Sequence, residues 1–193
     1  MEQWKVLPLI PRDHQFKTIP LEVLDNLGWR WTSGELGMGH GYFIPYFNMD
    51  QTTIPFAQVR HLSGERRFTF LKDAEPIAYG LWNLDNGKLF LVEGPSDGAA
   101  LDYCGIPWIA MPSASSTQIA SKLAQYAYKQ NIEIVYAGDN DEAGEQLREA
   151  LDGYISYRVH QPPGDYKDWG DFLVGEGLET VTNYCNEVLF EGQ

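Results

Sequence analysis

Six acidic residues stand where the chain turns from an apolar run into a helix or loop, and their types suit a hard divalent cation. Glu93 closes the run Leu89-Phe90-Leu91-Val92, with Gly94 beside it for a tight turn and Asp97 in the first turn of the following helix. Asp139 and Asp141 follow the run Ile132 to Ala137, with Gly144 just inside the next helix. Asp168 and Asp171 lie in the loop after one further strand. A spacing of two lets Asp139 and Asp141 face one point from a turn, which suits Mg²⁺ or Mn²⁺ rather than zinc. Two such cations, or one cation and one general base, would satisfy the set. The same aspartates also suit helix N-caps, where Asp is favoured. Their joint occurrence with Glu93, each at the same end of a strand, favours the metal site.

The elements that must hold these acids alternate in type. From Lys88 the pattern predicts a strand at Leu89 to Val92, a helix from Ser96 or Asp97 to Tyr103, and a strand at Pro107 to Ala110. A helix over Thr117 to Gln130 follows, with Ile119, Leu123, Tyr126 and Ala127 at helical spacing, then a strand at Ile132 to Ala137. A helix over about Glu142 to Asp152 and a strand at Tyr154 to Val159 complete the series. Strands joined by crossover helices form a mainly parallel sheet, whose functional groups gather at the carboxyl ends of the strands.

The first half reads differently. Pro8, Pro11 and Pro20 break its opening, a short helix fits Leu21 to Leu27, and Gly34, Gly37, Gly39 and Gly41 mark a glycine-rich stretch. Short strands are expected at Tyr42 to Phe47, Pro55 to His61 and Arg67 to Leu71, as in an antiparallel α+β lobe. The turn-rich Asp73 to Gly87 joins this lobe to the parallel domain.

Composition sets limits. The 193 residues are 44% apolar and 13% aromatic, enough for a real core. No apolar run is long enough to span a membrane, and Met1 to Lys5 lack a secretion signal, so no membrane association and a cytoplasmic location are expected. Cys104 and Cys185 lack a C-x-x-C partner, and the four histidines show no ligand spacing. The net charge of -13 argues against a broadly basic DNA-binding surface. The acid is concentrated beyond residue 87, where 6 Lys/Arg face 17 Asp/Glu, against 8 and 10 before it.

Three segments, E-G-P-S-D at 93–97, D-N-D-E-A-G at 139–144 and K-D-W-G-D-F at 167–172, resemble the Toprim signature. That signature is a glutamate after a first strand, a D-x-D after a later one and a further acid downstream. It is shared by DnaG-type primases, type IA and II topoisomerases, OLD-type nucleases and small ribonucleases that mature ribosomal RNA. The runs Tyr42-Phe43-Ile44-Pro45-Tyr46, Gln58-Val59-Arg60, Arg66-Arg67-Phe68 and Tyr79-Gly80-Leu81-Trp82 resemble the N-terminal subdomain of DnaG-type and phage primase cores. The resemblance covers roughly Gly41 to Phe172. It implies an α/β fold, with a Toprim domain and C-terminal helix over 88–193 preceded by a smaller α+β lobe over 1–87.

The resemblance implies a DNA primase catalytic core making short RNA primers by Mg²⁺- or Mn²⁺-dependent nucleotidyl transfer, with single-stranded DNA template and nucleoside triphosphates as partners. Glu93 would be metal ligand or general acid/base, Asp139 and Asp141 the main ligands, and Asp97, Asp168 and Asp171 further acids of the site. Lys88 matches a lysine that phage primase-helicases place near nucleotide phosphates. Arg60, Arg66 and Arg67 would line a basic groove for template or triphosphate. Ser113 and Ser115 occupy a small-residue loop suited to a nucleic-acid backbone, while Ser116 or Thr117 equally suits a helix cap. Trp29, Trp31 and Trp108 suit base stacking or core packing.

These residues contain no zinc-binding segment and no helicase segment, and Leu81 replaces a lysine expected after Gly80. The expectation is a core that borrows DNA affinity from a helicase or a separate zinc-binding protein. Two rivals stand beside it: a metal-dependent Toprim nuclease, whose acids activate water, and a non-catalytic replisome adaptor.

Overall fold

A computed structural model describes residues 6–190, apart from residues 36, 114 and 140. Met1 to Lys5, read above for a secretion signal, lie outside the described residues. The chain forms two compact units, the first ending at Ile77 and the second beginning at Ala78.

In the first unit a short helix, α1 (Leu21–Asn26), precedes four strands: β1 (Arg30–Ser33), β2 (His40–Tyr46), β3 (Phe56–His61) and β4 (Phe68–Phe70). They form one antiparallel sheet in sequence order. Alternation sends Phe43, Ala57 and Val59 into a core with Leu7, Met38 and Ile54. The other face carries Tyr42, Tyr46 and Phe56, and Tyr42 meets Phe16, Trp29 and Trp31 there. Gly41 is required because a Cβ there would strike the Arg60 carbonyl of the neighbouring strand. Pro45 is tolerated because its register partner Ala57 turns its carbonyl to β4, leaving 45 and 57 a pair without mutual hydrogen bonds. The sequence reading had no strand over 30–33. Trp29 (0% exposed) and Trp31 (8%) belong to the core rather than to a stacking surface.

The second unit is a parallel sheet in the order β6-β5-β7-β8: β5 (Lys88–Val92), β6 (Trp108–Ala110), β7 (Glu133–Tyr136) and β8 (Arg158–Val159). Its helices are α2 (Pro95–Tyr103), α3 (Thr117–Gln130), α4 (Glu142–Glu149), α5 (Trp169–Glu176) and α6 (Leu178–Leu189). Leu89, Leu91, Ile134 and Tyr136 point to one face, against Leu123, Ala124 and Ala127 of α3 and Leu147 of α4. Phe90, alternating to the other face, packs on Trp169 of α5.

Three boundaries differ from the sequence reading. Residues 78–87 pack with the parallel sheet, because Tyr79 exchanges both backbone hydrogen bonds with Ala110 and Asn83 Nδ2 donates to the Trp108 carbonyl at 2.8 Å. The last strand shrinks to Arg158–Val159, which pairs only with Val135 and Tyr136 at an exposed sheet edge. The helix α4 ends at Glu149 rather than near Asp152, where the chain enters turns. Trp108, fully buried beside Tyr79 and Trp82, is also core. Among the described residues no helix is long and apolar enough to cross a membrane.

Candidate active site

The centre of the site is a bond between two strand ends. Glu93 leaves β5 and its Oε1 accepts a hydrogen bond from the Asp139 backbone N–H, beyond β7, at 2.8 Å. Because β5 and β7 are parallel neighbours, both acids emerge at the same edge of the sheet. Asp141 starts α4: its Oδ1 accepts from the Gly144 N–H at 3.1 Å, and its Oδ2 lies 3.3 Å from Lys167 Nζ. Asp141 is therefore a helix cap as well as a member of the cluster.

Electrostatics ties the three acids together. Burial raises the Glu93 carboxyl most, the charges of Asp139 and Asp141 raise it further, and the Asp139 N–H and Lys167 oppose them, leaving it at about 7. Such crowding of negative charge calls for a cation. Lys167 supplies part of one, but it is 59% exposed, and a pair so open is worth at most about 1 kcal/mol.

Gly144 makes this closeness possible. A Cβ at that position would lie 2.5 Å from Glu93 Oε1 and collide with the Asp139 carbonyl. The loop bearing Asp139 is held from the other side. Trp169 Nε1 donates to the Ala137 carbonyl at 2.8 Å, while Gln161 Nε2 donates to the carbonyls of Gly138 (3.2 Å) and Asp139 (3.0 Å). Tyr136 donates its hydroxyl to the Gly144 carbonyl, and burial raises its ionisation well above the ordinary tyrosine value. Sequence reasoning missed Gln161, Trp169 and Tyr136. The available signal was position, since Gln161 follows β8, whose carboxyl end lies beside that of β7.

The other expected residues each have surroundings of their own. Lys88 begins β5, roughly 16 Å along the strand from Glu93 at ~3.3 Å per residue. Its ammonium donates to the Val188 carbonyl at 2.9 Å and pairs with Glu133 at 3.2 Å. Asp168 is the N-cap of α5, accepting from the Asp171 N–H at 2.7 Å, and Asp171 occupies the first turn of that helix. Asp97 is buried in the first turn of α2. Ser113 Oγ is 3.0 Å from the hydroxyls of both Ser115 and Ser116, and Ser116 makes no side-chain cap at α3.

In the first unit Arg60 lays its guanidinium over the rings of Phe16 (4.8 Å) and Phe68 (5.8 Å), and Arg67 lies 5.5 Å from Phe68. Arg66 lines a shallow hollow of about 410 Å³ with Gly39, His61, Gly64 and Thr69. Among the described residues Arg66 and Arg67 have no carboxylate partner.

Glu93, Asp139 and Asp141 offer only oxygen donors, the kind Mg²⁺ and Mn²⁺ prefer. Among the described residues no three His, Cys, Asp or Glu side chains form a ready cage. The donors fit an ion that keeps several waters and takes few protein ligands, as Mg²⁺ does.

The fold is that of a primase-like core, an antiparallel α+β unit followed by a parallel α/β unit. In particular, the structure resembles the primase fragment of the bacteriophage T7 primase-helicase protein, with a TM-score of 0.60 and 20% identity over 87% of this chain and 70% of that one. It also resembles the RNA polymerase domain of Mycobacterium tuberculosis primase DnaG, with a TM-score of 0.68 and 13% identity over 88% and 72%. A third similar structure holds primase domains bound to an RNA/DNA hybrid and dTTP alongside the T7 lagging-strand DNA polymerase, with a TM-score of 0.62 and 16% identity over 86% and 72%. At these identities the likeness is one of fold. No protein-family model matches the chain, and no curated protein matches it in sequence.

Proposed function

We propose that this chain is the catalytic core of a DNA primase, a nucleotidyltransferase that joins ribonucleoside triphosphates on a single-stranded DNA template in a Mg²⁺- or Mn²⁺-dependent reaction. The observation that carries the reading is the Glu93 Oε1 to Asp139 N–H bond, which gathers the acids at one edge of the parallel sheet in a primase-like fold.

Glu93, Asp139 and Asp141 would hold the ion. When bound, it neutralises triphosphate oxygens, lowers the pKa of an attacking 3′-hydroxyl and stabilises charge on the departing pyrophosphate. Asp139 and Asp141 present carboxylates from a loop fixed on both sides. Glu93, anchored through Oε1 on the Asp139 N–H, would serve beside them either as a further ligand to the ion or as the general base that takes the hydroxyl proton. Lys167 offsets charge beside Asp141. Asp97, Asp168 and Asp171 add negative field from helix first turns, Asp168 doing so while capping α5. In the first unit, Arg60, Arg66 and Arg67 supply cations for nucleic-acid phosphates, and the hydroxyls of Ser113 and Ser115 in the second supply donors of the kind phosphate accepts. A helicase or a separate zinc-binding protein would add template affinity that a chain of net charge -13 supplies poorly.

The test is extension. Single-stranded DNA, labelled ribonucleotides and Mg²⁺ or Mn²⁺ should yield short labelled oligomers. Shortening of the template with no extension would replace this reading with a nuclease, and no reaction together with no saturable Mn²⁺ binding would favour an adaptor.

A further inference from the structure

Three consecutive carbonyls in the loop after β7 are each held by a side-chain donor. Ala137 is held by Trp169, and Gly138 and Asp139 are both held by the single amide of Gln161. Two carbonyl oxygens can only accept, so the NH₂ end of Gln161 must face them, and both its protons are used. The backbone of Gln161 is anchored in turn, because Tyr184 of α6 donates its hydroxyl to the Gln161 carbonyl at 3.0 Å. His160, the preceding residue, binds on both sides: its N–H donates to the Tyr136 carbonyl at 2.8 Å, and its Nε2 lies 3.0 Å from the Tyr184 carbonyl. Its ring stacks on that of Tyr184, with centroids 4.2 Å apart.

We infer that Gln161 is a positioning residue for the acidic centre, acting as a strut from α6 to the Asp139 loop that sets the Asp139 carboxylate against Glu93 for cation binding; this rests on the metal reading above. The physical case follows from which groups are fixed. Asp139 has its N–H on Glu93 and its carbonyl on Gln161, so both ends of its peptide frame are tied and its side chain projects from a rigid base. Without Gln161, two partly buried carbonyls lose their donors and the loop can rotate away from Glu93. Groups that orient metal ligands in this indirect way typically change affinity by about 10- to 100-fold when removed.

The experiment uses the full chain as wild type, Gln161→Met, which keeps the side-chain length but removes the donors, and Tyr184→Phe, which removes only the anchor. Amide hydrogen exchange of Asp139 is read by NMR in metal-free protein, and Mn²⁺ binding by electron paramagnetic resonance of the free ion. Gln161→Met should exchange the Asp139 amide about tenfold faster and bind Mn²⁺ about tenfold more weakly, with a melting temperature close to wild type. Tyr184→Phe should shift both in the same direction by less, and decides the matter alone if Gln161→Met does not fold. An Asp139 amide as protected in the variants as in wild type overturns the strut. Faster exchange with unchanged Mn²⁺ affinity overturns its role in positioning. Wild-type protein that binds no Mn²⁺ counts against the metal reading itself, and the exchange result then decides the strut independently.

Discussion

Glu93 Oε1 and the Asp139 backbone N–H meet at 2.8 Å across 46 residues of sequence, closing β5 and β7 into one acidic edge. The bond brings a half-buried carboxyl next to two others, and the Glu93 carboxyl rises to about 7 from an ordinary 4.5. Most of what can be tested about this protein follows from that contact.

The first consequence concerns pH. A carboxyl that titrates higher in the folded chain than in the unfolded one favours folding in its protonated form. The contribution is complete below about 4.5 and is lost as pH rises through about 7. Metal-free protein should therefore lose stability between those values, by about 1 to 2 kcal/mol once solvent screening of a half-buried group is discounted. Glu93→Gln should flatten that slope, and Mg²⁺ should restore stability to the wild type near pH 7.5. Urea midpoints at a series of pH values, with and without Mg²⁺, measure all three.

Gly144→Ala sets two effects against each other. Alanine ordinarily stabilises a helix by about 0.5 to 1 kcal/mol relative to glycine. Here its Cβ would lie 2.5 Å from Glu93 Oε1 and against the Asp139 carbonyl, and overpacking of that kind costs about 1 to 3 kcal/mol. The clash wins, so the substitution should lower the urea midpoint and weaken Mn²⁺ binding together.

Lys88→Met separates the ends of β5. The ammonium serves Val188 and Glu133, not the acids, so the variant should lose about 1 kcal/mol of stability. Its Mn²⁺ affinity and its extension rate per folded molecule should match wild type. A selective loss of extension would return Lys88 to the active site.

Arg66 and Arg67 are exposed and, among the described residues, have no carboxylate partner. Replacing both by alanine should leave stability within about 0.5 kcal/mol. If they meet phosphates, affinity for a fluorescent oligothymidine should fall, and the slope of its logarithm against log salt should flatten by roughly 1.4, or 0.7 per charge on a single strand. Anisotropy titrations at several salt concentrations give both numbers.

The strands β5, β6 and β7 were legible because each is a mostly apolar run buried on both faces, as parallel strands are, whereas β8 is only the exposed pair Arg158–Val159. The helix α3 was legible for the opposite reason: its apolar residues recur at three and four, and only one face is buried. Strand β1 escaped because Trp29-Arg30-Trp31-Thr32 is short and its partner β2 lies beyond a glycine-rich connection, so only tertiary pairing defines it. Lys88 came from a family resemblance, and the pairing of its ammonium with the Val188 carbonyl and Glu133 depends on tertiary packing that its place in the sequence does not show. Gln161 carried no signal of type, since an amide binding two carbonyls looks in sequence like any loop glutamine. Asp168, like Asp141, accepts a cap hydrogen bond at the start of a helix, and an acid in such a turn reads the same in sequence whether it caps, binds a cation or does both.

The proposed function requires the Glu93, Asp139 and Asp141 cluster to perform metal-dependent nucleotidyl transfer. The most direct measurement compares wild type with Asp139→Asn for synthesis of labelled ribo-oligomers on single-stranded DNA, resolved on a denaturing gel at matched folded concentration with Mg²⁺ or Mn²⁺. Wild type should extend only when the ion is present, and Asp139→Asn should keep its fold while losing synthesis, because relief of like-charge crowding seldom destabilises a domain. Oligomers made equally well by the variant, or by wild type in the presence of chelator, would rule out a metal-dependent role for this cluster.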